Sequence, residues 1–225
     1  MDVEREGSVA RIFLNRPEKA NALQSGVLQA LADAFRGLAG DETLRVVVLG
    51  GRGRTFCGGA DVEELRALNV ETAPMFVTHI HNVCQAIRDL PVPVVARLHG
   101  AVIGAGLEIA AACDLRVAAE GTKFAMPEVR LGIPSVVEAA LLPRLMGSGR
   151  AAWLVLTGEA IDARRALEWG LIEEIGDGEQ LLQHLLAGDR EALRIQKQLL
   201  HLWDEASLPT SVAASLERFA QAYNR

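Results

Sequence analysis

The chain has few aromatic residues and few cysteines, and it lacks several motifs that would settle its chemistry at once. Only 4% of its 225 residues are Phe, Trp or Tyr, and 23 Lys and Arg face 29 Asp and Glu, for a net charge of −6. A nucleic-acid surface needs clustered basic residues interleaved with stacking aromatics, so no nucleic-acid partner is expected. The three cysteines, Cys57, Cys84 and Cys113, are odd in number and form no Cys-x-x-Cys clip. Reduced, buried thiols are expected rather than a disulfide framework. No apolar run approaches the ~20 residues of a membrane helix. The opening Met1-Asp2-Val3-Glu4-Arg5-Glu6 is charged where a secretory leader is apolar. A cytoplasmic chain with no membrane partner is the expectation. There is no Gly-x-x-x-x-Gly-Lys-Ser/Thr phosphate loop and no Gly-x-Ser-x-Gly nucleophile elbow. His79-x-His81 has chelating spacing only on a strand. On the helix expected there the rings point about 200° apart with no acid or cysteine cluster beside them, so both read as surface or packing residues and no metal is expected.

Half the residues are hydrophobic and 23% are charged, enough for one large domain with a real core, or a domain plus an appendage. Val9–Leu14 reads as a strand, broken by Asn15-Arg16-Pro17-Glu18-Lys19, and the spacing of Val27, Leu31, Ala34, Phe35 and Leu38 predicts a helix over roughly 24–39. Val46–Leu49 is apolar throughout, as a strand covered on both faces must be. A glycine-rich turn at Phe56-Cys57-Gly58-Gly59-Ala60-Asp61 then leads into a helix. After a helix over about 74–90 the same unit recurs: strand 94–99, turn at Gly104-Ala105-Gly106, helix 106–113, followed by strand 115–119. Two such units side by side would bring two helix starts, with their free N–H groups and positive dipole ends, towards one pocket. Glu108 lies in the first turn of the second helix and Glu128 follows Lys123-Phe124-Ala125-Met126-Pro127. The central expectation is that N–H donors and these two carboxylates converge.

Each motif also has a plainer reading. Gly104-Ala105-Gly106 is not a dinucleotide fingerprint, because its third glycine position is Ile109, too large for close helix–strand packing. His99 reads as a buried, satisfied imidazole, and Cys57 lacks a basic partner. Glu108 alone is accounted for as a first-turn acid, Glu128 as a surface acid. Ser135-Val136-Val137-Glu138 reads as a capping box opening a helix over Ser135–Met146. Further helices are expected over 148–156 and 162–169, with Asp162 as N-cap and Gly170 as stop, then a strand at Leu171–Ile175. The tail carries two helical stripes, Ile195, Leu199, Leu202, Trp203 and Val212, Leu216, Phe219, Tyr223. A change to helix alone near 160–180 marks a candidate boundary.

In fixed order, Val9–Pro17 with Asn21-Ala22-Leu23, Phe56–Asp61, Ile103–Glu108 with Cys113-Asp114, Phe124–Glu128 with Leu131–Pro134, and Leu156-Thr157-Gly158 resemble the enoyl-CoA hydratase/isomerase (crotonase) family. The likeness runs from about residue 9 to 176. It implies an α/β, crotonase-like (ClpP/crotonase) spiral of strand–strand–helix units over 1–165 and a mainly helical trimerisation region over 166–225, giving a homotrimer or a dimer of trimers. It also implies an acyl-CoA thioester substrate from fatty acid metabolism, with no cofactor beyond the coenzyme A of the substrate. By position, Ala60 and Ala105 N–H groups form an oxyanion hole, Glu108 and Glu128 are the catalytic acids, and Lys19, Ala20, Gly59, Asp61 and Gly104 meet substrate or CoA. Glu138 falls at the acyl end. Glu63 stands where some relatives carry a phosphate-binding lysine, which leaves Arg16, Lys19, Arg54 or a neighbouring subunit for that contact. Ala105 replaces a usual glycine, and Ser135–Ala140 replaces a glycine-rich segment. The reaction implied is reversible addition of water to a 2-enoyl-CoA. A double-bond isomerase or other acyl-CoA lyase is the nearest alternative, and a non-catalytic acyl-CoA-binding or assembly subunit is the alternative of another class.

Overall fold

The computed structural model describes residues 1–223. Its frame is a six-stranded sheet built as the chain spirals. β1 (Asp2–Glu6) pairs antiparallel with β2 (Val9–Leu14), and α1 (Ser25–Leu38) returns the chain to β3 (Val46–Gly51), parallel to β2. Asp61 caps α2 (Val62–Ala67), its side chain accepting from Glu63 N. The long α3 (Ala73–Asp89) then leads to β4 (Val94–Leu98), and β5 (Ala101–Ile103) runs into α4 (Ala105–Ala112). After β6 (Leu115–Ala118) and β7 (Lys123–Ala125) come a 3₁₀ turn at Glu128–Leu131 and another at Val137–Leu141. These are followed by α5 (Leu142–Met146), α6 (Ser148–Thr157), β8 (Ile161–Asp162), α7 (Ala163–Trp169), β9 (Glu174–Ile175), α8 (Glu179–Ala187), α9 (Arg190–Glu205) and α10 (Leu208–Gln221). The large sheet has the order β1-β2-β3-β4-β6-β9 and a small one the order β5-β7-β8.

The two-residue period of the strands divides their side chains between two layers. Ala10, Ile12, Leu14, Val47, Leu49, Val94 and Ala96 join the main core, where Leu28, Leu31, Phe35, Ile80 and Val83 of α1 and α3 cover them. Val9, Val46, Val48, Val95 and Val117 face the opposite side and are covered by Leu182 of α8. Helices on both faces explain why β3 is apolar without alternation.

Several expectations need correction. β1, over which the sequence predicts no element, is a strand although its residues are mostly exposed and charged, because it needs only one neighbour at the sheet edge. Strand β9 is confined to Glu174–Ile175: Gly170 (φ +82°) ends α7, and Leu171 N closes that cap on Ala166 O. No single helix spans Ser135–Met146, and the capping box does not form. Ser135 Oγ donates to Glu128 Oε2, and Glu138 turns to His81. The first tail stripe packs only in part, with Leu199 buried and Trp203 exposed. The second is left open: Val212, Leu216, Phe219 and Tyr223 are exposed, and the first three, with Leu208, Trp203 and Ala206, line a cleft of about 780 Å³.

Candidate active site

Two glycine turns interlock at the head of the sheets. Cys57 N donates to Ala101 O (3.0 Å) and Ile103 N donates to Cys57 O (3.0 Å), so the 57–60 turn lies alongside β5. Gly106 is packed so closely on Cys57 that an added Cβ would lie 2.6 Å from the Cys57 Cβ. The starts of α2 and α4 are thereby held side by side. The Ala60 and Ala105 N–H groups have no acceptor among the described residues, since Leu23 bonds across Ala60 through Gly59 O and Asp61 N, and Ala105 is the first residue of its helix.

β7 pairs with β5 and delivers Glu128 to the same place. A Cβ on Gly104 (φ +52°) would lie 2.3 Å from Glu128 Oε1, so the carboxylate occupies the space that any other side chain at 104 would fill. Its other oxygen accepts from Ser135 Oγ at 2.9 Å. Glu108, one turn into α4, is only 4% exposed. Burial, and next the charge of Glu128, push its carboxyl up from 4.5 to about 8. The Ala139 N–H opposes this, Glu138 adds to it, and the Val136 N–H opposes again. Glu108 therefore keeps its proton at neutral pH, with the Glu128 carboxylate as the charged neighbour that affects it most. Glu138 is buried at the edge of this cluster, with Oε1 2.7 Å from His81 Nδ1 and Oε2 unpartnered among the described residues.

The remaining sequence candidates fall into two sets. Gly59 (φ +97°) sits against Ile103 O, and Ala20 O accepts from Gly58 N at 2.8 Å, so both border the two turns. Buried Asn21 fixes the Ala20 loop through bonds from Nδ2 to Arg52 O and Thr55 O and from Arg16 N to Oδ1. Asp61 is occupied as the α2 cap and lies 3.5 Å from Arg16. Exposed Lys19 reaches Glu63 at 3.4 Å, and Arg54 is exposed. Cys57 is no nucleophile: burial pushes its thiol up to about 12. His99 is only partly buried, with Nε2 3.1 Å from Gly53 O. The sequence reading missed the link between His81 and Glu138, and Ser135 as a partner of Glu128. His81 follows Val77 by one helical turn and precedes Cys84 by three residues, which places it at the rim of an apolar face rather than on open surface.

Comparison with known proteins identifies the family and the fold. The family model Enoyl-CoA hydratase/isomerase matches residues 4–219. The short-chain-enoyl-CoA hydratase of Clostridium acetobutylicum is 30% identical over 231 residues, covering 99% of this chain and 88% of its own. The 1,2-epoxyphenylacetyl-CoA isomerase of Escherichia coli is 33% identical over 225 residues, covering 95% and 85%. The crystal structure of an enoyl-CoA hydratase from Mycobacterium smegmatis superposes with a TM-score of 0.94 at 32% identity, covering 98% of this chain and 89% of that one. The α/β spiral with its helical C-terminal region is thus a crotonase fold, and the chain belongs to the enoyl-CoA hydratase/isomerase family.

Proposed function

We propose that the protein is an enoyl-CoA hydratase. The observation that carries this reading is the buried Glu108, facing the half-buried Glu128 and set beside two helix-start N–H groups without acceptors among the described residues. In the proposed reaction the oxygen of water bonds to Cβ of a 2-enoyl-CoA while one carboxylate takes a proton from that water. The π electrons move onto the thioester oxygen, which the Ala60 and Ala105 N–H groups hold. One such donor contributes about 2.7–4 kcal/mol in comparable sites. The enolate then collapses as Cα takes the proton carried by the other acid, giving a 3-hydroxyacyl-CoA. Acid–base chemistry suffices, so no metal or redox cofactor is invoked. Gly59, Gly104 and Ala20 would line the substrate or CoA side. Lys19, Arg16 and Arg54 are the local bases available to phosphate.

The second reading is migration of a double bond. It is favoured by the family itself, whose description joins enoyl-CoA hydratases to isomerases, and by Glu138, a third acid beside the pair. Parallel incubation with 2-enoyl-CoA and 3-enoyl-CoA separates the two. Hydration is expected to yield 3-hydroxyacyl-CoA from the 2-enoyl substrate, with 3-enoyl-CoA left largely unchanged. Rapid conversion of 3-enoyl to 2-enoyl-CoA without hydration would replace the first reading by the second.

The open apolar face of α10 supports association with further copies of the chain, proposed as a homotrimer or dimer of trimers from the family likeness, since exposed Leu208, Val212, Leu216 and Phe219 form the kind of patch that subunit contacts bury. Among the described residues no helix is long and apolar enough to cross a membrane.

A further inference from the structure

We propose that the hydrogen bond between His81 and Glu138 is a latch that holds the 136–139 turn over Glu108, making His81 and Glu138 positioning residues for the carboxylate pair. The inference rests on the reading of Glu108 and Glu128 as the reacting acids. Three features of the turn support it. First, its backbone faces the site: Val136 and Ala139 lie close enough to Glu108 for their N–H groups to lower its titration point, while Ala139 N itself donates to Val136 O at 3.0 Å. Second, it is strained. Val137 has φ +40°, a left-handed conformation that a β-branched side chain adopts only when its surroundings impose it. Third, the side chain between those two N–H groups points the other way. Glu138 reaches α3, where Oε1 lies 2.7 Å from His81 Nδ1 in a hydrogen bond and Oε2 has no partner among the described residues.

The turn packs Val137, Ala139 and Leu141 against the core but is short of polar anchors. Its 3₁₀ helix has no side-chain cap, and the residues before it, Gly132, Ile133 and Pro134, are exposed. Ser135 on one side is tied to Glu128. His81 is thus the polar tie on the other side, and its ring is half-exposed at the surface. Without it, the strain at Val137 favours a turn that relaxes away from α4. The N–H groups would then leave Glu108, and water would reach the carboxylate.

The charged and titratable groups facing this latch are few. Glu138 is faced by His81 and Cys84 of α3 and by Glu108 of α4, and Glu108 by Glu128 and Glu138. Cys84 takes no part as an ion, because burial foremost, and next the Glu138 and Glu108 charges, hold its thiol well above its ordinary value. Two opposing effects follow from loss of His81. Release of the turn hydrates Glu108 and removes burial, the largest cause of its raised titration point, which outweighs the loss of the Ala139 and Val136 N–H groups and lowers it. A turn that stayed closed would leave Glu138 unpaired and raise it. The direction of the shift therefore reports whether the latch exists.

The test compares the full-length chain with His81→Phe and His81→Asn, the latter keeping an N–H near the Nδ1 position. Glu108 is titrated without substrate through its ¹³C-labelled carboxyl, and kcat and KM are measured on a 2-enoyl-CoA. In H81F the Glu108 titration is expected to move down from about 8, with kcat falling about ten- to a hundredfold and KM little changed. H81N is expected to stay close to wild type in both. Should H81F not melt cooperatively, Glu138→Ala removes the other half of the latch and carries the same expectation for kcat. Titration of Glu108 unmoved or raised in H81F, or kcat within about threefold of wild type, would overturn the latch. Because the titration needs no substrate, a chain that hydrates nothing leaves this result readable and counts only against the hydratase reading.

Discussion

Glu108→Gln and Glu128→Gln are each expected to lower hydration of a 2-enoyl-CoA by about 10²–10⁴-fold, the usual range for a lost general acid or base. Glutamine keeps the shape of either side chain and can still accept from Ser135 or from the turn over α4, so binding should survive while proton transfer does not. The Glu108 variant has a second, opposite consequence. In the folded chain Glu108 titrates at about 8 rather than 4.5. Between those values the unfolded chain has released the proton that the folded chain still holds, so stability falls as pH rises. The contribution is complete below 4.5 and is lost as pH passes about 8. Glutamine does not titrate. E108Q should therefore gain on wild type through that window and melt at the higher temperature above it. A dead enzyme that is more stable than its parent would be the signature of a buried acid kept for chemistry. Near-normal turnover in either variant would remove the proposed mechanism, and an E108Q melting profile parallel to wild type would contradict the burial of Glu108 as a cause.

Lys197→Met is expected to cost about 3–5 kcal/mol of folding stability, the range for breaking a buried ion pair by removing one partner. That is a large share of the roughly 5–15 kcal/mol that holds a typical domain together. Lys197 is 4% exposed on α9, and its Nζ reaches Asp114 Oδ2 (2.8 Å), Ile87 O (2.9 Å) and Val92 O (3.0 Å). It ties the helical tail to the end of α3, the entry to β4 and the exit of α4 at one point. Burial alone would raise Asp114. The Lys197 charge, the His201 and Lys197 hydrogen bonds and the Val94 N–H reverse that and leave it below 3.8. With Lys197 gone the carboxylate stays buried and two carbonyls lose their donor. Because the folded chain holds Asp114 ionised below its ordinary value, the tie is present above that value and lost as pH falls further. Denaturant unfolding at neutral pH reads the loss directly. A cost under about 1 kcal/mol would show the contact to be no stronger than a surface pair, and the Asp114→Asn, Lys197→Met double variant should recover part of it.

The residues differ in how plainly they announced their places. The main helices and buried strands were legible because their periodicity is set by a core that runs along the chain, as with Leu28, Leu31 and Phe35 against Ile12 and Val47. The two glycine turns were legible for a steric reason: Gly104 and Gly106 leave room for a carboxylate and a cysteine that no larger residue would leave. What the sequence hid depends on contacts between distant segments. β1 has the composition of a charged terminus and becomes a strand through its partner alone. Ser135 and Glu138 stand at capping-box spacing. Each side chain found a better partner elsewhere, seven residues back at Glu128 and fifty-seven back at His81. Val137 carries no local sign of its positive φ, which the turn imposes on it. Lys197 looks like one charge on a polar helix until Asp114 and two carbonyls meet it.

The most direct measurement is a crystal structure with a 3-hydroxyacyl-CoA or an unreactive enoyl-CoA analogue bound. The thioester oxygen is expected at about 2.7–3.1 Å from both the Ala60 and Ala105 nitrogens, with Glu108 and Glu128 each reaching Cα or Cβ directly or through one water. A thioester oxygen held elsewhere, or either carboxylate too far to touch those carbons even through water, would contradict the hydratase mechanism while leaving the family and fold intact.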